Sequence, residues 1–228
     1  MKLIKIVDNI SEDFSNIAIR MAEDNAKDLS AMHLKDDDPF LPLAQAEVKI
    51  RLTFALNEIN KPFNVEGIKS RSHIIFALDD TIPSEPVAGF ITYKPRFPDF
   101  TSASIGYIVV DKSYRGRGVM RLMMETLLEE IPAVGLDCPI HLVSLYKKFG
   151  FHVRGVQGCH IAMNTASLNG QMVVVDDETI QQRPEMRFAK RNISKALGEK
   201  SDEGYSEINK QNSEQKKKAE HFVSNELK

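Results

Sequence analysis

Cysteine is scarce in this chain, charge of either sign is nearly balanced, and long apolar runs are missing. The 228 residues include two cysteines, Cys138 and Cys159, far apart in sequence and in no metal-ligand spacing. Each reads as a buried free thiol rather than a nucleophile, no metal is expected, and a reducing, cytoplasmic location follows. A formal net charge of −2 and a pI near 6.3 give no global pull toward nucleic acid or a membrane surface. The apolar run within residues 1–8 is too short for a signal peptide or a spanning helix. No Gly-Lys-Ser/Thr follows the chain's glycine loop and no complete Gly-x-Gly-x-x-Gly is present, which sets aside nucleotide folds of the P-loop and Rossmann kinds. The length suffices for one sizeable core with some chain to spare.

Residues 107–120 say most about chemistry. A β-branched run stops at Asp111, passes a short polar turn, and enters Arg115, Gly116, Arg117 and Gly118 before an apolar helical pattern. A strand, a glycine loop and a helix N-terminus in succession make an anion cradle. The first helical turn leaves N–H groups unpaired, and the helix dipole makes that end partly positive. Glycine lets an oxygen-rich ligand approach the backbone closely, and the two arginines add permanent charge.

With Arg115 and Gly118 in this spacing, and a Tyr-x-x-x-Gly-Phe sequence at Tyr146, Gly150 and Phe151, the chain resembles the GNAT family of N-acetyltransferases over about residues 72–165. The resemblance implies an α/β (α+β) acyl-CoA N-acyltransferase fold, a mixed and mostly antiparallel sheet flanked by helices. It implies acetyl-CoA as co-substrate, the pantetheine arm pairing with the backbone of Val109 and Val110. The amides of Arg115, Gly116, Arg117, Gly118, Val119 and Met120 would hold the pyrophosphate, with Arg115 or Arg117 adding a charge-assisted contact. Met120 departs from the family pattern, standing where a small residue is expected, so it either crowds the diphosphate or turns away. Tyr146 matches the position whose hydroxyl lies near the thioester sulfur. A phenol keeps its proton at neutral pH and can donate it to a departing thiolate.

The rest of the pattern supplies the frame. Residues 2–7 read as a strand, Ser11 as the cap of a helix to about Ser30, and residues 43–59 as a second helix ended by Pro62. Strands are expected at 72–78, 86–93 and up to Val110, then a helix with Val119, Leu122, Met123, Leu127 and Leu128 on one stripe, closed by Pro132. A strand at 133–138, a short helix at 140–149, and strands at 151–164 and 171–176 complete the sheet. Residues 1–180 form the GNAT-like domain in this reading, and 181–228 a charged C-terminal tail. Residues 183–228 hold eleven Lys or Arg and eight Asp or Glu with few large apolar residues, which reads as a mobile or partly helical segment.

The expected reaction is acetyl transfer directly to a primary amine, protein-borne or a small amine or polycation, since neither cysteine sits in a nucleophile setting. The alternative is a non-catalytic acyl-CoA-binding or interaction module of the same fold. Its support is Met120 and the absence of a carboxylate in residues 101–107. Asp111, Asp137, His141 and His152 are weighed as bases and none is assigned. Asp36, Asp37 and Asp38 fall where an acceptor loop is expected; they either attract an ammonium group or cap the next helix around Pro39. No membrane or nucleic-acid partner is expected, and a homodimer stays open.

Overall fold

The computed structural model describes every residue except His33, Asp36 and Glu85. The chain runs β1 (Lys2–Ile6), α1 (Glu12–Asp24), α2 (Ala26–Leu29), α3 (Leu41–Asn60), β2 (Phe63–Val65), β3 (Ile68–Ser70), β4 (His73–Leu78), β5 (Val87–Pro95) and β6 (Ser102–Val110). It continues through α4 (Val119–Glu130), β7 (Ala133–Cys138), α5 (Val143–Lys147), β8 (His152–Gln157), β9 (His160–Asn164), α6 (Asp177–Gln181), α7 (Pro184–Leu197) and α8 (Ser201–Glu226). Seven strands form one sheet in the order β1-β4-β5-β6-β7-β9-β8, antiparallel throughout except for the β6–β7 pair.

Both faces of the sheet are covered, which explains why β4 is almost continuously apolar rather than alternating. Ile74, Phe76 and Leu78 face the cluster shared with α1 and α3, while Ile75 and Ala77 face the cluster built on α4. On α4, Val119, Met123, Met124 and Leu127 are all buried. Side chains of that size stabilise by about 1.5–3 kcal/mol each when fully buried, which fixes the helix rigidly against the sheet.

Several local readings change. The first helix breaks at Asn25, whose side chain turns back to donate to the Met21 carbonyl at 2.7 Å. Residues 151–164 form a hairpin of two strands turning at Gly158, which has φ +62°. Residues 171–176 are no strand: Gln171 makes a single bridge to Phe97, and Asp176 caps α6. A small hairpin, β2–β3, stands apart from the main sheet.

The charged end, read as mobile or partly helical, is helical over most of its length. Residues 184–226 are almost wholly helical, and most of their few apolar side chains are turned inward, Phe188 being exposed. Met186, Ala189 and Ile193 are buried on α7; Ile208, Ala219 and Val223 are buried on α8. Composition averaged over the segment hides this, because an amphipathic helix needs only every third or fourth residue apolar. α8 lies along β8 and β9, covering the sheet's edge strand. At one end Tyr205 meets Phe40 edge-on, and at the other Lys147 pairs with Glu226.

At the start of β4, His73 packs edge-on against Tyr93, and burial holds its imidazole down to about 4, with Lys5 and Arg71 adding to the effect. The unfolded side chain titrates near 6.5, so protons bind the unfolded state preferentially as pH falls. Stability is therefore expected whole above about pH 6.5, to decline toward pH 4, and to lose no more to this group below that. Urea midpoints measured across that window should fall less in His73→Gln than in the parent.

Candidate active site

The parallel β6–β7 contact is short. Ser102, Ala103 and Ser104 pair with Ala133, Val134 and Gly135; beyond them β7 stays with β9, and β6 runs on to Val110 beside β5 alone. The two strands diverge, and the far half of β6 offers a free polar edge. Its register with β5 also slips. Ile91 opposes Ile108 and Tyr93 opposes Ile105, so β6 carries one residue more than its neighbour. This bulge falls at Gly106 and Tyr107, where the Tyr107 amide donates to the Thr92 hydroxyl at 2.9 Å instead of a ladder carbonyl. Bulges interrupt a ladder and re-aim the strand, and they are over-represented beside active sites. Gly106 in the interior of the strand is the sequence signal for it.

Alternation along a strand decides which residues present polar groups to the opening. The Asp111 amide donates to the Ala88 carbonyl on β5 at 2.9 Å. Val109, two residues earlier, is therefore turned the same way and belongs to the β5 ladder. Ile108 and Val110 face the opening, and the Val110 carbonyl accepts from Arg115 Nε at 3.4 Å. Of the expected pair, Val110 turns its backbone groups to the opening and Val109 does not; Ile108 does so as well, and strand register, which sequence alone does not set, decides this.

The loop is built to leave amides free. Asp111 ends the strand and caps a single 3-10 turn over Lys112–Tyr114 by accepting from the Ser113 amide at 2.9 Å. The Ser113 hydroxyl and amide hold its carboxyl below the usual aspartate value, so it acts as a turn residue and not as a base. Gly116 and Gly118 take φ values of +75° and +81°, the left-handed region that glycine enters without cost. Gly118 is the N-cap of α4 and has no side chain to cap it, whereas Ser11 and Asp176 cap α1 and α6 with theirs. Among the described residues, the amides of Gly116, Gly118, Val119, Met120 and Arg121 have no hydrogen-bond partner. They converge with the helix dipole on one point.

The two arginines part company. Arg115 reaches back to Asn25 Oδ1 at 2.5 Å and to Asp28 at 3.5 Å, tying the loop to the α1–α2 junction. Arg117 stays exposed, its guanidinium 5.4 Å from the centre of the Tyr114 ring, with no carboxylate partner among the described residues. Val119 is buried in the α4 core. Met120 is half-buried and packs on the same core, turned away from the amide cradle. Met120→Gly should therefore leave CoA affinity within about twofold by calorimetric titration, while lowering stability by roughly 1–2 kcal/mol through lost helix propensity and lost apolar burial.

Tyr146 stands on α5, 8% exposed, in the apolar cluster that also holds Val119, Met120, Ile108, Val110 and Cys138. Its ring meets Phe151 at 5.9 Å between centroids. Burial, with Cys138 beside it, raises the phenol above its ordinary value, so the proton stays in place at any physiological pH. The hydroxyl has no hydrogen-bond partner among the described residues. Cys138 is 1% exposed and burial pushes its thiol up to about 12. Cys159 is raised by burial too, its sulfur near the Ala31 carbonyl. Neither thiol is available as a thiolate, which only the ionised form makes nucleophilic.

Asp137, His141 and His152 are all exposed. Asp36 lies outside the described residues; Asp37 is exposed, and Asp38 accepts from the Phe40 amide at 2.9 Å in the turn before α3. A further cluster was invisible in sequence because its members are 126 residues apart. Arg51 is shared by Glu47 at 2.9 Å and Asp177 at 2.6 Å, and its charge and that of Glu47 act on Tyr107 at the bulge. Among the described residues, no group of three His, Cys, Asp or Glu side chains is placed to hold a metal ion, and no helix is long and apolar enough to cross a membrane.

The acetyltransferase (GNAT) family matches residues 35–151, just over half of the chain. The chain belongs to the GNAT family of acetyltransferases. The solved PaiA N-acetyltransferase of Thermoplasma acidophilum, in complex with coenzyme A, superposes with a TM-score of 0.53 at 15% identity, covering 73% of this chain and 100% of that one. A GNAT-family acetyltransferase from Staphylococcus aureus Mu50 gives 0.44 at 12% identity, covering 72% and 100%. An aminoglycoside 6′-N-acetyltransferase complexed with coenzyme A gives 0.47 at 13%, covering 72% and 96%. No curated protein matches the chain by sequence. At such identities the first of these structures shows the GNAT fold and nothing about the acceptor.

Proposed function

We propose that this acetyltransferase moves the acetyl group of acetyl-CoA directly to a primary amine. One observation carries the reading: the free β6 edge, the unpaired amides before α4 and the Tyr146 ring gather at the diverging end of β6 and β7. The residues present fit the co-substrate. Ile108 and Val110 would pair with the amides of the pantetheine arm. The amides of Gly116, Gly118, Val119 and Met120 would take the pyrophosphate, with Arg117 free to add a charge-assisted contact. Arg115, already engaged with Asn25 and Asp28, would hold the loop in shape.

The amine nitrogen attacks the thioester carbonyl at the bulge, where the broken ladder leaves room. As the C–S bond breaks, the Tyr146 hydroxyl gives its proton to the departing sulfur, and the proton shed by the newly acetylated nitrogen restores the phenol through solvent. Without a thiolate at Cys138 or Cys159, an acetyl-cysteine intermediate has no route. Glu47 and Asp177 share the single charge of Arg51, so this cluster carries one net negative charge, which suits an incoming ammonium group. That favours a cationic acceptor, a lysine side chain or a small polyamine, and a reducing cytoplasmic setting suits the two free thiols.

Thiol release from acetyl-CoA, followed against a panel of polyamines, aminoglycosides and lysine peptides, tests this. At least one amine should accelerate release and appear acetylated by mass spectrometry. CoA binding without release for any amine in the panel or in a cell extract would favour the non-catalytic alternative.

A further inference from the structure

At the opposite end of the sheet lies a second cleft, of about 610 Å³, between the β2–β3 hairpin and the C-terminal end of α4. That volume is within the ~300–1,000 Å³ usual for small-molecule sites. The 12 residues of α4 separate it from the amide cradle by roughly 18 Å at a 1.5 Å rise per residue. The acetyl-transfer opening does not extend here, because β6 and β7 are paired at this end.

Its walls are apolar. Phe63, Pro95 and Ile131 line it, with Phe100 at the mouth, 47% exposed and with φ +54°. A large aromatic ring in that conformation and that exposed is held for a reason other than core packing. Two polar atoms in the lining are buried and unpartnered: Ser70 Oγ, in a residue 1% exposed, and His73 Nδ1. Leaving such groups unpaired is costly, and a ligand that bonded them would remove that cost. The charges are asymmetric as well. Lys69 and Arg71 lie on the lining without a carboxylate partner among the described residues, while the one facing carboxylate, Glu130, is taken by Lys5.

We propose that this cleft is a second ligand site, taking a small molecule with a ring-sized apolar body and one anionic group. The body would rest among Phe63, Phe100 and Ile131, and the anion would face Lys69 and Arg71. Ser70 and His73 would supply the hydrogen bonds they lack in the free protein.

The full chain, with and without saturating CoA, should be titrated with 1-anilinonaphthalene-8-sulfonate and with its uncharged analogue N-phenyl-1-naphthylamine. Saturable binding of about one sulfonate per chain is expected, at least fivefold tighter than the uncharged probe and not displaced by CoA. The double variant Lys69→Ala/Arg71→Ala, at exposed positions, should lose about tenfold in affinity, the value of one charge-assisted contact. Ser70→Ala should weaken the probe without lowering the urea midpoint, since it removes a hydroxyl that is unsatisfied when the site is empty. Equal affinity for the two probes, displacement by CoA, or unchanged affinity in both variants would overturn the assignment.

Discussion

Tyr146→Phe is expected to lower kcat by 10²-fold or more, the usual contribution of a positioned proton donor, while leaving the KM for acetyl-CoA within about twofold. The substitution removes one oxygen from a side chain that is 8% exposed and packed on Phe151. Because the hydroxyl has no partner in the free protein, its removal opens no unsatisfied group, and thermal stability should not fall. The pH profile distinguishes a proton donor from a packing residue. Burial raises the phenol, so the parent should gain rate with pH as the amine deprotonates, with no descending limb at the ordinary phenol value near 10. The phenylalanine variant should keep the ascending limb at a uniformly lower rate. A variant with the parent's kcat across that range would remove Tyr146 from the mechanism.

Ala219→Asp is expected to be the most destabilising single change, about 3 kcal/mol or more, because it buries a carboxylate with no cation to meet it. Ala219 is fully buried on α8 and packs in the cluster that includes Val153, Ile161 and Met163. Lys217→Asp, two residues away on the exposed side of the helix, changes charge further yet should stay within about 0.5 kcal/mol of the parent. Urea unfolding of the pair isolates docking of α8 from its charge. Equal midpoints for the two variants would mean that the helix does not hold its place against β8 and β9.

These two residues differ in how far the chain's local pattern reaches. Tyr146 was singled out because its motif is local: Tyr146, Gly150 and Phe151 lie within one turn-and-strand unit whose geometry is set by neighbours in the chain. The glycine loop was legible for the same reason, as positive φ at Gly116 and Gly118 and a helix opening without a side-chain cap are local backbone facts. Ala219 was not legible. Residues 183–228 carry nineteen charges and look unfit to bury surface, but the few apolar positions share one helical face, and only an apolar partner surface converts that face into stability. Residues 171–176 were misjudged from the other direction: an apolar run that looks like a strand pairs only once, through Gln171.

Arg51 shows the same limit at the candidate site. Its partners Glu47 and Asp177 are 4 and 126 residues away, and no pattern along the chain brings the second of them near.

The sequence by itself determined the backbone of the glycine loop and the start of α4. The strand ending at Asp111, the left-handed glycines and the uncapped start of α4 are dictated by backbone sterics over a dozen residues. Tertiary structure decided the rest: which β6 residues face the opening, where Met120 packs, what α8 covers, and which carboxylates meet at Arg51. Each depends on strand register or on packing between distant segments. Those are settled by burial summed over the whole core, which no short stretch of sequence contains.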